Sequence, residues 1–482
     1  MVVVVVCAIV LIGILSRTPP NHASGAVPTT PPPTLGLATV APPVGSESSS
    51  WYCTGSTGTP NGIADATLYL VNTGRFPVTG TITVVNSTGR SAERPVTVPG
   101  GHQVTAVPAS IVQGSWLAST VQLNGGGVTV SEMVEGSAGW AEAPCATRTS
   151  ANWYFATGST EPGDLLFSFL YNPGAAPAVV DLKFITTQGE ATPEPFEGLV
   201  IAPGAVVVAG VGSFVQNQLS VSTVVQARSG RVIAEQLEQS TVGAVGGLSL
   251  LLGSPQPENR WSLPRSVNVG GGRVVLAVFN PSASAQRISV NVQLASGPVA
   301  PFVQEVASDT TWSLVMSSAT RIPANADYAT TVISGGGPGV VVGRIVQSSS
   351  AGASPQWGML NAMAGPAAAI PSGKWVVPSP GVPGDPPEAG AAPFALTLHN
   401  TGPRDVTVSV GAVTPSGPVR LSTVPILRIA PRSFLVVEPS DLVPSAAEAL
   451  LIDASGPLAS VEEASPAGMP GVVALAGIPV AS

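Results

Sequence analysis

Three glutamates recur behind a glycine at almost the same distance, and they are the residues best suited to acid–base chemistry. Glu132 and Glu235 each follow a glycine by five residues, and Glu462 follows its glycine by six. Two such carboxylates could serve as the acid and the base of a glycosidase. Arg344 stands at the matching place in another segment. Because the position is repeated with the segment, we interpret these side chains as structural or as solvating a sheet edge.

Histidine chemistry and metal binding find little support in the chain. The three histidines, His22, His102 and His399, lie in different segments and share no ligand spacing. The chain has no Gly-x-Ser-x-Gly elbow, no Walker-type loop and no His-Glu-x-x-His motif. We therefore predict a protein that is not an enzyme and that carries no catalytic residues, no cofactor and no metal.

Two of the three cysteines stand at opposite ends of one segment. Cys53 and Cys145 are 92 residues apart, and the ends of a domain are often close in space. We predict a disulfide, which favours an exported protein and could stabilise the fold by about 4–5 kcal/mol. Two unpaired buried thiols are the alternative. Metal binding is disfavoured because no histidine or further cysteine lies beside either residue.

The eight tryptophans fall into two groups. Four stand at the starts of similar segments, which suggests buried core residues, with sugar stacking as the alternative: Trp51, Trp153, Trp261 and Trp375. The others do not recur in this way. Of these, Trp116 and Trp312 are the candidates for contact with a glycan or a partner.

A fixed spacing reveals the elements that must position these residues. An asparagine after an apolar run precedes a glycine by 17 residues in four segments, at Asn72, Asn172, Asn280 and Asn400. Alternating apolar and polar residues follow each asparagine, as in a half-buried strand. About seven strands in roughly 100 residues predict an all-β chain of four tandem immunoglobulin-like β-sandwich repeats. A β-propeller is the main competitor, but its blades repeat at about 40–50 residues.

The amino-terminal residues differ from the repeats. Val2 to Leu15 is an unbroken apolar run, and we favour an uncleaved membrane anchor over a cleaved signal peptide. A Pro-rich segment follows that lacks the residues for a core and predicts a disordered stalk. The predicted domains are the anchor (1–17), the stalk (18–50) and four β-sandwich repeats (51–147, 148–256, 257–368 and 369–482).

Composition limits the partners. Charged residues make up only 10% of the chain and the net charge is −8. A nucleic-acid partner needs a basic stripe, so we predict none. The apolar residues form many short runs rather than spans of about twenty residues, so the body is not predicted to cross a membrane.

A family resemblance rests on three motifs in the second repeat. These are the start at Trp153-Tyr-Phe-Ala-Thr-Gly, the turn at Leu170-Tyr-Asn-Pro173 and the end at Gly230-Arg-Val-Ile-Ala-Glu235. With the anchor and the stalk, the chain resembles actinobacterial envelope proteins of domain-of-unknown-function family 5719. The third and fourth repeats lack the aromatic continuation after tryptophan. The resemblance implies a location and no activity.

These observations favour one functional class and leave two others open. The favoured hypothesis is a non-catalytic cell-envelope protein, membrane-anchored or secreted, with a structural role or a role in contact with cell-wall polymer or envelope proteins. Carbohydrate binding is the first alternative and would use exposed aromatic residues in a groove. An accessory module of an envelope hydrolase is the second and would require a pocket with converging carboxylates.

Overall fold

The computed structural model describes most of the chain after residue 37, and most of these residues lie in β-strands. The described residues are 38–60, 62–240, 247–267, 272–348, 360–363, 365–366, 373–378, 394–420, 426–437, 447–456, 458–464 and 473–481. The predicted anchor and the first part of the predicted stalk lie outside them. In the described part, none of the helices has the length and apolar character needed to span a membrane. The only helices in these ranges are single 3₁₀ turns, at Pro108–Ser110, Glu194–Phe196, Val211–Ser213 and Met316–Ser318.

The first two groups of strands build the amino-terminal half of the body, and we name them the first and second sandwich. The first sandwich contains β1 Ser49–Gly58, β2 Asp65–Asn72, β3 Val78–Asn86, β4 Ser91–Val98, β5 Gln103–Ala106, β6 Gly114–Leu123, β7 Val128–Gly136 and β8 Gly139–Pro144. The second contains β9 Asn152–Phe155, β10 Asp164–Tyr171, β11 Ala178–Thr186, β12 Gly189–Ala191, β13 Leu199–Ile201, β14 Val206–Gly210, β15 Val221–Ser229, β16 Ile233–Ser240 and β17 Gly247–Leu252.

The remaining strands form the third and fourth sandwich. The third contains β18 Arg260–Val267, β19 Gly272–Asn280, β20 Gln286–Leu294, β21 Gly297–Pro298, β22 Phe302–Val306, β23 Thr310–Val315, β24 Asp327–Ser334, β25 Val341–Ser348, β26 Leu360–Met363 and β27 Gly365–Pro366. The fourth contains β28 Lys374–Pro378, β29 Phe394–Asn400, β30 Val406–Thr414, β31 Gly417–Arg420, β32 Leu427–Ile429, β33 Phe434–Val437, β34 Ala449–Ala454, β35 Leu458–Ala464, β36 Val473–Ala476 and β37 Ile478–Val480.

One strand order recurs in the paired sheets. The second sandwich has sheets β12-β11-β15-β9 and β14-β10-β16-β17, the third β21-β20-β24-β18 and β23-β19-β25-β26, and the fourth β31-β30-β34-β28 and β33-β29-β35-β36. The first follows the same order, but β1 pairs with both β6 and β2 and joins its two sheets into one. The predicted all-β sandwich class is confirmed, whereas the predicted domain boundaries remain predictions.

The asparagines of the fixed spacing occupy equivalent places in the four sandwiches. Each is buried, and its side-chain Nδ2 donates to the carbonyl four residues later, at Phe76, Ala176, Ser284 and Arg404. Nδ2 also donates, over 3.0 Å, to the carbonyls of Val98, Ile201, Val306 and Ile429. Oδ1 accepts the amide two residues on. The asparagine thus satisfies backbone groups that the turn leaves without strand partners.

The tryptophans at the starts of the segments are buried in the sandwiches, as core residues would be. Trp51, Trp153 and Trp261 are at most 1% exposed. The indole Nε1 of Trp153 donates to the carbonyl of Val232, and that of Trp261 donates to the carbonyl of Val340. Each indole therefore ties the first strand of its sandwich to the opposite sheet.

The residues before β1 differ from the predicted stalk. The structure places residues 38–50, expected to be disordered, against the first and last sandwiches. Ala41 donates its amide to the carbonyl of Pro479 and accepts the amide of Ala481, both over 2.9 Å. Thr147 donates its amide to the carbonyl of Ala38. Pairing with β37 supplies the strand partners that composition alone did not reveal.

Contacts between sandwiches form a closed series. The Tyr171 and Thr120 hydroxyls lie 2.8 Å apart between the second and first sandwiches. Ser222 and Thr311 make a 2.6 Å contact between the second and third, and His399 and Ser262 make a 2.7 Å contact between the fourth and third. Ala41 then connects the first to the fourth.

Candidate functional site

The region with the most unusual chemistry surrounds an irregular stretch of β1. The register of β1 against β6 shifts between Thr54 and Ser56 and again between Ser56 and Gly58. Gly55 has a φ of +138°, which L side chains rarely adopt. A Cβ at this glycine would lie 2.6 Å from Leu250 Cδ1 and 3.1 Å from a carboxylate oxygen of Glu235. The second sandwich therefore packs directly on the backbone of β1.

Glu132 approaches this stretch from within the first sandwich. It lies on β7 opposite Leu68 and is only 1% exposed. Both carboxyl oxygens lack a hydrogen-bond partner among the described residues. Burial disfavours the charged form and raises the pKa of Glu132 to about 7, an effect that the nearby Ser56 hydroxyl partly offsets.

Glu235 approaches the same stretch from the second sandwich. It lies on β16, is 1% exposed, and accepts the Thr54 amide at Oε2 over 3.1 Å. Burial is the main cause that raises its pKa well above the usual range, and the charge of Glu132 raises it further. The two carboxyl groups therefore influence each other across β1.

Buried paired carboxylates can share protons, but their surroundings differ from those of a catalytic pair. A glycosidase holds its two carboxyl groups on either side of a bound sugar. Here the backbone of β1 lies between them, and Leu250 and Glu235 fill the space beside Gly55. The geometry allows proton uptake and release and leaves no space beside Gly55 for a substrate.

Strand pairing corrects the predicted equivalence of the glutamates. Glu132, Arg344 and Glu462 lie opposite the residue four positions before the repeated asparagine. In the second sandwich this partner is Ser168, and Ser168 lies opposite Gln236. Glu235 is therefore one residue out of register, and a shift of one residue places its side chain on the other face of the sheet.

The position shared by Glu132, Gln236, Arg344 and Glu462 has the same structural role in the second and third sandwiches. Gln236 Nε2 donates to the carbonyl of Thr157 over 2.7 Å. Arg344 Nη1 donates to the carbonyl of Arg265 and, over 2.8 Å, to the hydroxyl of Ser266. These acceptors follow the buried tryptophan by four or five residues, where the first strand of the sandwich becomes irregular. The polar side chain at this position thus hydrogen-bonds the backbone of the first strand at the point where its regular pairing in the sheet ends.

The predicted disulfide is present in the structure. Cys53 and Cys145 are joined, with their Cα atoms 4.7 Å apart. Cys53 immediately precedes Thr54, so the crosslink fixes β1 next to the carboxylate pair. Thr39 also donates its hydroxyl to the carbonyl of Cys145, which links the crosslink to the segment that reaches the fourth sandwich.

The two candidate contact tryptophans are both packed within the chain. Trp116 lies between sandwiches, with ring centroids 5.0 Å from Phe167 and 5.3 Å from Phe169. Trp312 lies opposite Val278 and packs, half-buried, against the core of the third sandwich. A role of either residue in glycan or partner contact remains a prediction.

His102, His399 and the buried Glu142 lie on separate elements, and His22 lies outside the described residues. His399 is buried between the third and fourth sandwiches, where burial and then Arg260 lower its pKa to about 4. The His102 ring lies beside Gly417 of the fourth sandwich, where an added Cβ would be 3.8 Å from its Cε1. Burial raises the pKa of Glu142, on β8, to about 8. Over the described ranges, no group of three or more His, Cys, Asp or Glu residues is placed to hold a metal.

The sequence matches one family, and that family has no assigned function. A family of unknown function (DUF5719) matches residues 127–332, less than half of the chain, which supports the resemblance inferred from the motifs. This match contains the whole second sandwich and parts of its neighbours. A search of curated proteins gives no match.

Two solved structures show only weak likeness. A crystal structure of Thermotoga maritima 1070 is 14% identical and covers 22% of this chain and 93% of its own, with a TM-score of 0.20. A tetra-tandem repeat in the extending region of a large adhesion protein is 12% identical and covers 92% of this chain and 100% of its own, with a TM-score of 0.09. Likeness at this level carries no argument about the function of this chain.

Proposed function

We propose that this chain is a non-catalytic cell-envelope protein whose tandem β-sandwiches serve a structural role or contact cell-wall polymer or other envelope proteins. We further propose that its amino-terminal segment attaches it to the membrane, or directs its secretion. No enzyme activity, cofactor or nucleic-acid partner belongs to this proposal.

The observation that carries the proposal is where the reactive side chains lie. Glu235 accepts a backbone amide of the neighbouring sandwich, and His399 contacts Ser262 across another junction. Arg344 donates to the backbone of its own sandwich. Side chains that could do acid–base chemistry thus hold backbone and sandwiches together, which supports a structural protein.

Two further features support an exported location. The disulfide between Cys53 and Cys145 is of a kind that persists in oxidising compartments. The long apolar run from Val2 to Leu15 precedes the compact unit that spans residues 36–482. Both are expected of a protein that is carried across a membrane.

The first experiment tests location and partners together. The full chain with a carboxy-terminal tag is expressed in its native host, and cytoplasmic, membrane and wall fractions are probed. We expect the protein in the envelope fractions, with the crosslink intact under non-reducing conditions. Recovery in the cytoplasm with free Cys53 and Cys145 thiols would contradict the proposal.

The second experiment tests the absence of catalysis. Purified residues 36–482 are incubated with peptidoglycan, polysaccharide and peptide substrates, beside the Glu235→Gln variant. We expect no turnover by either protein. Turnover that Glu235→Gln abolishes would overturn the non-catalytic assignment. Saturable glycan binding that is lost in Trp312→Ala, without turnover, would favour the carbohydrate-binding alternative.

A further inference from the structure

The carboxylate pair lies in an entirely acidic neighbourhood. The seven strands β1, β2, β7, β8, β10, β16 and β17 meet around it and contain no Lys, Arg or His. Their carboxyl side chains are Asp65, Glu132, Glu135, Glu142, Asp164, Glu235 and Glu238. Without a cation from the protein, a buried carboxylate is relieved most directly by taking up a proton.

The two glutamates approach β1 from opposite sides, and only Glu235 accepts a hydrogen bond from its backbone. Glu132 reaches it from inside the first sandwich, and Glu235 reaches it from the second through the Thr54 amide. Of the other acids, Asp65 and Glu135 pair with each other on the opposite face of the first sheet from Glu132. Glu142 shares the face of Met133, next along β7 from Glu132, and Glu238 lies on the opposite face of β16 from Glu235.

We propose that Glu132, Glu235 and the segment Thr54–Ser56 form a proton-operated latch that fixes β1 between the first and second sandwiches. With protonated carboxyl groups the latch is closed, and Glu235 holds the Thr54 amide. When both carboxyls ionise, two adjacent buried charges repel each other and the segment separates from β16. This regulatory role goes beyond the proposed function and does not depend on it.

The direction of the pH effect follows from the folded and unfolded states. Burial raises the pKa of Glu132 to about 7, whereas the unfolded value is 4.5. Between these values the folded chain binds more protons than the unfolded chain, so stability falls as pH rises. The latch is therefore closed at mildly acidic pH and weakened above neutrality. The disulfide at Cys53 confines the opening to the residues that follow it.

The repeat supplies a matched substitution. Glutamine already occupies the equivalent position in the second sandwich, where Gln236 donates to the carbonyl of Thr157. Glu132→Gln therefore introduces a side chain that this fold accepts and that does not ionise. The converse change, Gln236→Glu, places a buried carboxyl where the wild type has none. Glu135→Gln is the control, because Glu135 is on the same strand but on the other face of the sheet.

Hydrogen–deuterium exchange on residues 36–482 tests the latch. Protection of residues 54–58, corrected for intrinsic exchange, is compared at about pH 5.5 and about pH 8.5. We expect wild type and Glu135→Gln to lose about tenfold or more in protection at the higher pH, the change that corresponds to one unit of pKa. Glu132→Gln should remove most of this loss, and Gln236→Glu should create a similar loss around Thr157.

Three outcomes would overturn the proposal. The first is protection of residues 54–58 that does not change with pH in the wild type. The second is a pH dependence that persists in the double variant Glu132→Gln, Glu235→Gln. The third is full recovery of protection at high pH on addition of calcium chloride, which would identify a cation site in place of a proton latch. Should Glu132→Gln fail to fold, Gln236→Glu still tests the mechanism, and unchanged exchange around Thr157 would count against it.

Discussion

The junction between the first and second sandwiches contains acidic side chains, whereas the junction between the third and fourth contains basic ones. The first has Glu132 and Glu235 around β1 and no basic side chain on the surrounding strands. The other has His399 and Arg260 in contact with the neighbouring sandwich, while Arg344 lies within the third sandwich at the position equivalent to Glu132. At the repeated position that Glu132 and Arg344 share, the fold therefore accepts either an acidic or a basic side chain. The choice of side chain decides how each junction responds to pH.

Removal of the disulfide tests whether the acidic junction depends on its crosslink. The double change Cys53→Ala, Cys145→Ala should lower the free energy of unfolding by about 4 kcal/mol, because the crosslink closes a long loop. Urea denaturation at neutral pH measures the loss. The third and fourth sandwiches contain no cysteine, so exchange around His399 should change little. Equal protection losses at the two junctions would show that the crosslink acts on the whole body.

Arg344 tests the polar position in the basic half. Arg344→Leu leaves the carbonyl of Arg265 and the Ser266 hydroxyl without their donor, and unpaired buried groups are costly. We expect a loss of about 3 kcal/mol in the free energy of unfolding. Arg273→Leu, at an exposed place on the adjacent strand, is the control and should cost much less. A loss no larger than that of the control would contradict the assigned role.

His399 gives the third–fourth junction a pH dependence opposite to that of the latch. Its folded pKa is about 4 and its unfolded value is 6.5. The unfolded chain binds more protons between these values, so stability should fall by about 2–3 kcal/mol as pH drops from 6.5 to 4. Thermal unfolding of wild type and His399→Gln across this range measures the effect, with His102→Gln as the control. An equal acid response in the two variants would exclude His399 as the cause.

The smallest expected effect concerns one hydroxyl at the first–second junction. Tyr171→Phe removes the hydrogen bond to Thr120 and should cost about 1 kcal/mol. The half-buried Tyr154 provides the comparison, since Tyr154→Phe removes a hydroxyl elsewhere in the same sandwich. Denaturation curves of both variants at pH 6 give the difference. A larger loss in Tyr154→Phe would show that the Tyr171 contact contributes little to the junction.

Much of the fold could be predicted because local patterns recur. The constant spacing behind Asn72 and its equivalents fixed the turns, and the alternation of apolar residues fixed the strands. The equivalence of Glu235 was wrong because one extra residue follows Gly230 before the strands pair. The distance from a glycine locates a strand residue to within one position. A shift of one position, however, moves the side chain to the other face of the sheet. Nothing in the sequence around Gln236 marks it as the repeated polar position, which is established only by its pairing with Ser168.

The candidate site could not be predicted because its parts are distant in sequence. Glu132 and Glu235 belong to different sandwiches and meet only across β1. Nothing in the pattern around either residue indicates that the second sandwich packs on Gly55. The same holds for the segment at Ala41, whose composition resembles a disordered stalk but whose backbone pairs with the last strand.

The pairing of Ala41 has a consequence for the order of assembly. Ala41 and Pro479 are separated by 438 positions (479 − 41), so their bond forms only after all the residues between them have been made. Loop closure over such a distance costs only logarithmically more entropy than over a short one, but it needs both ends present. Domains fold as units from the amino terminus during synthesis. Ala41 therefore stays without this partner until β37 is made, and its bridge to Val480 then extends a sheet of the fourth sandwich.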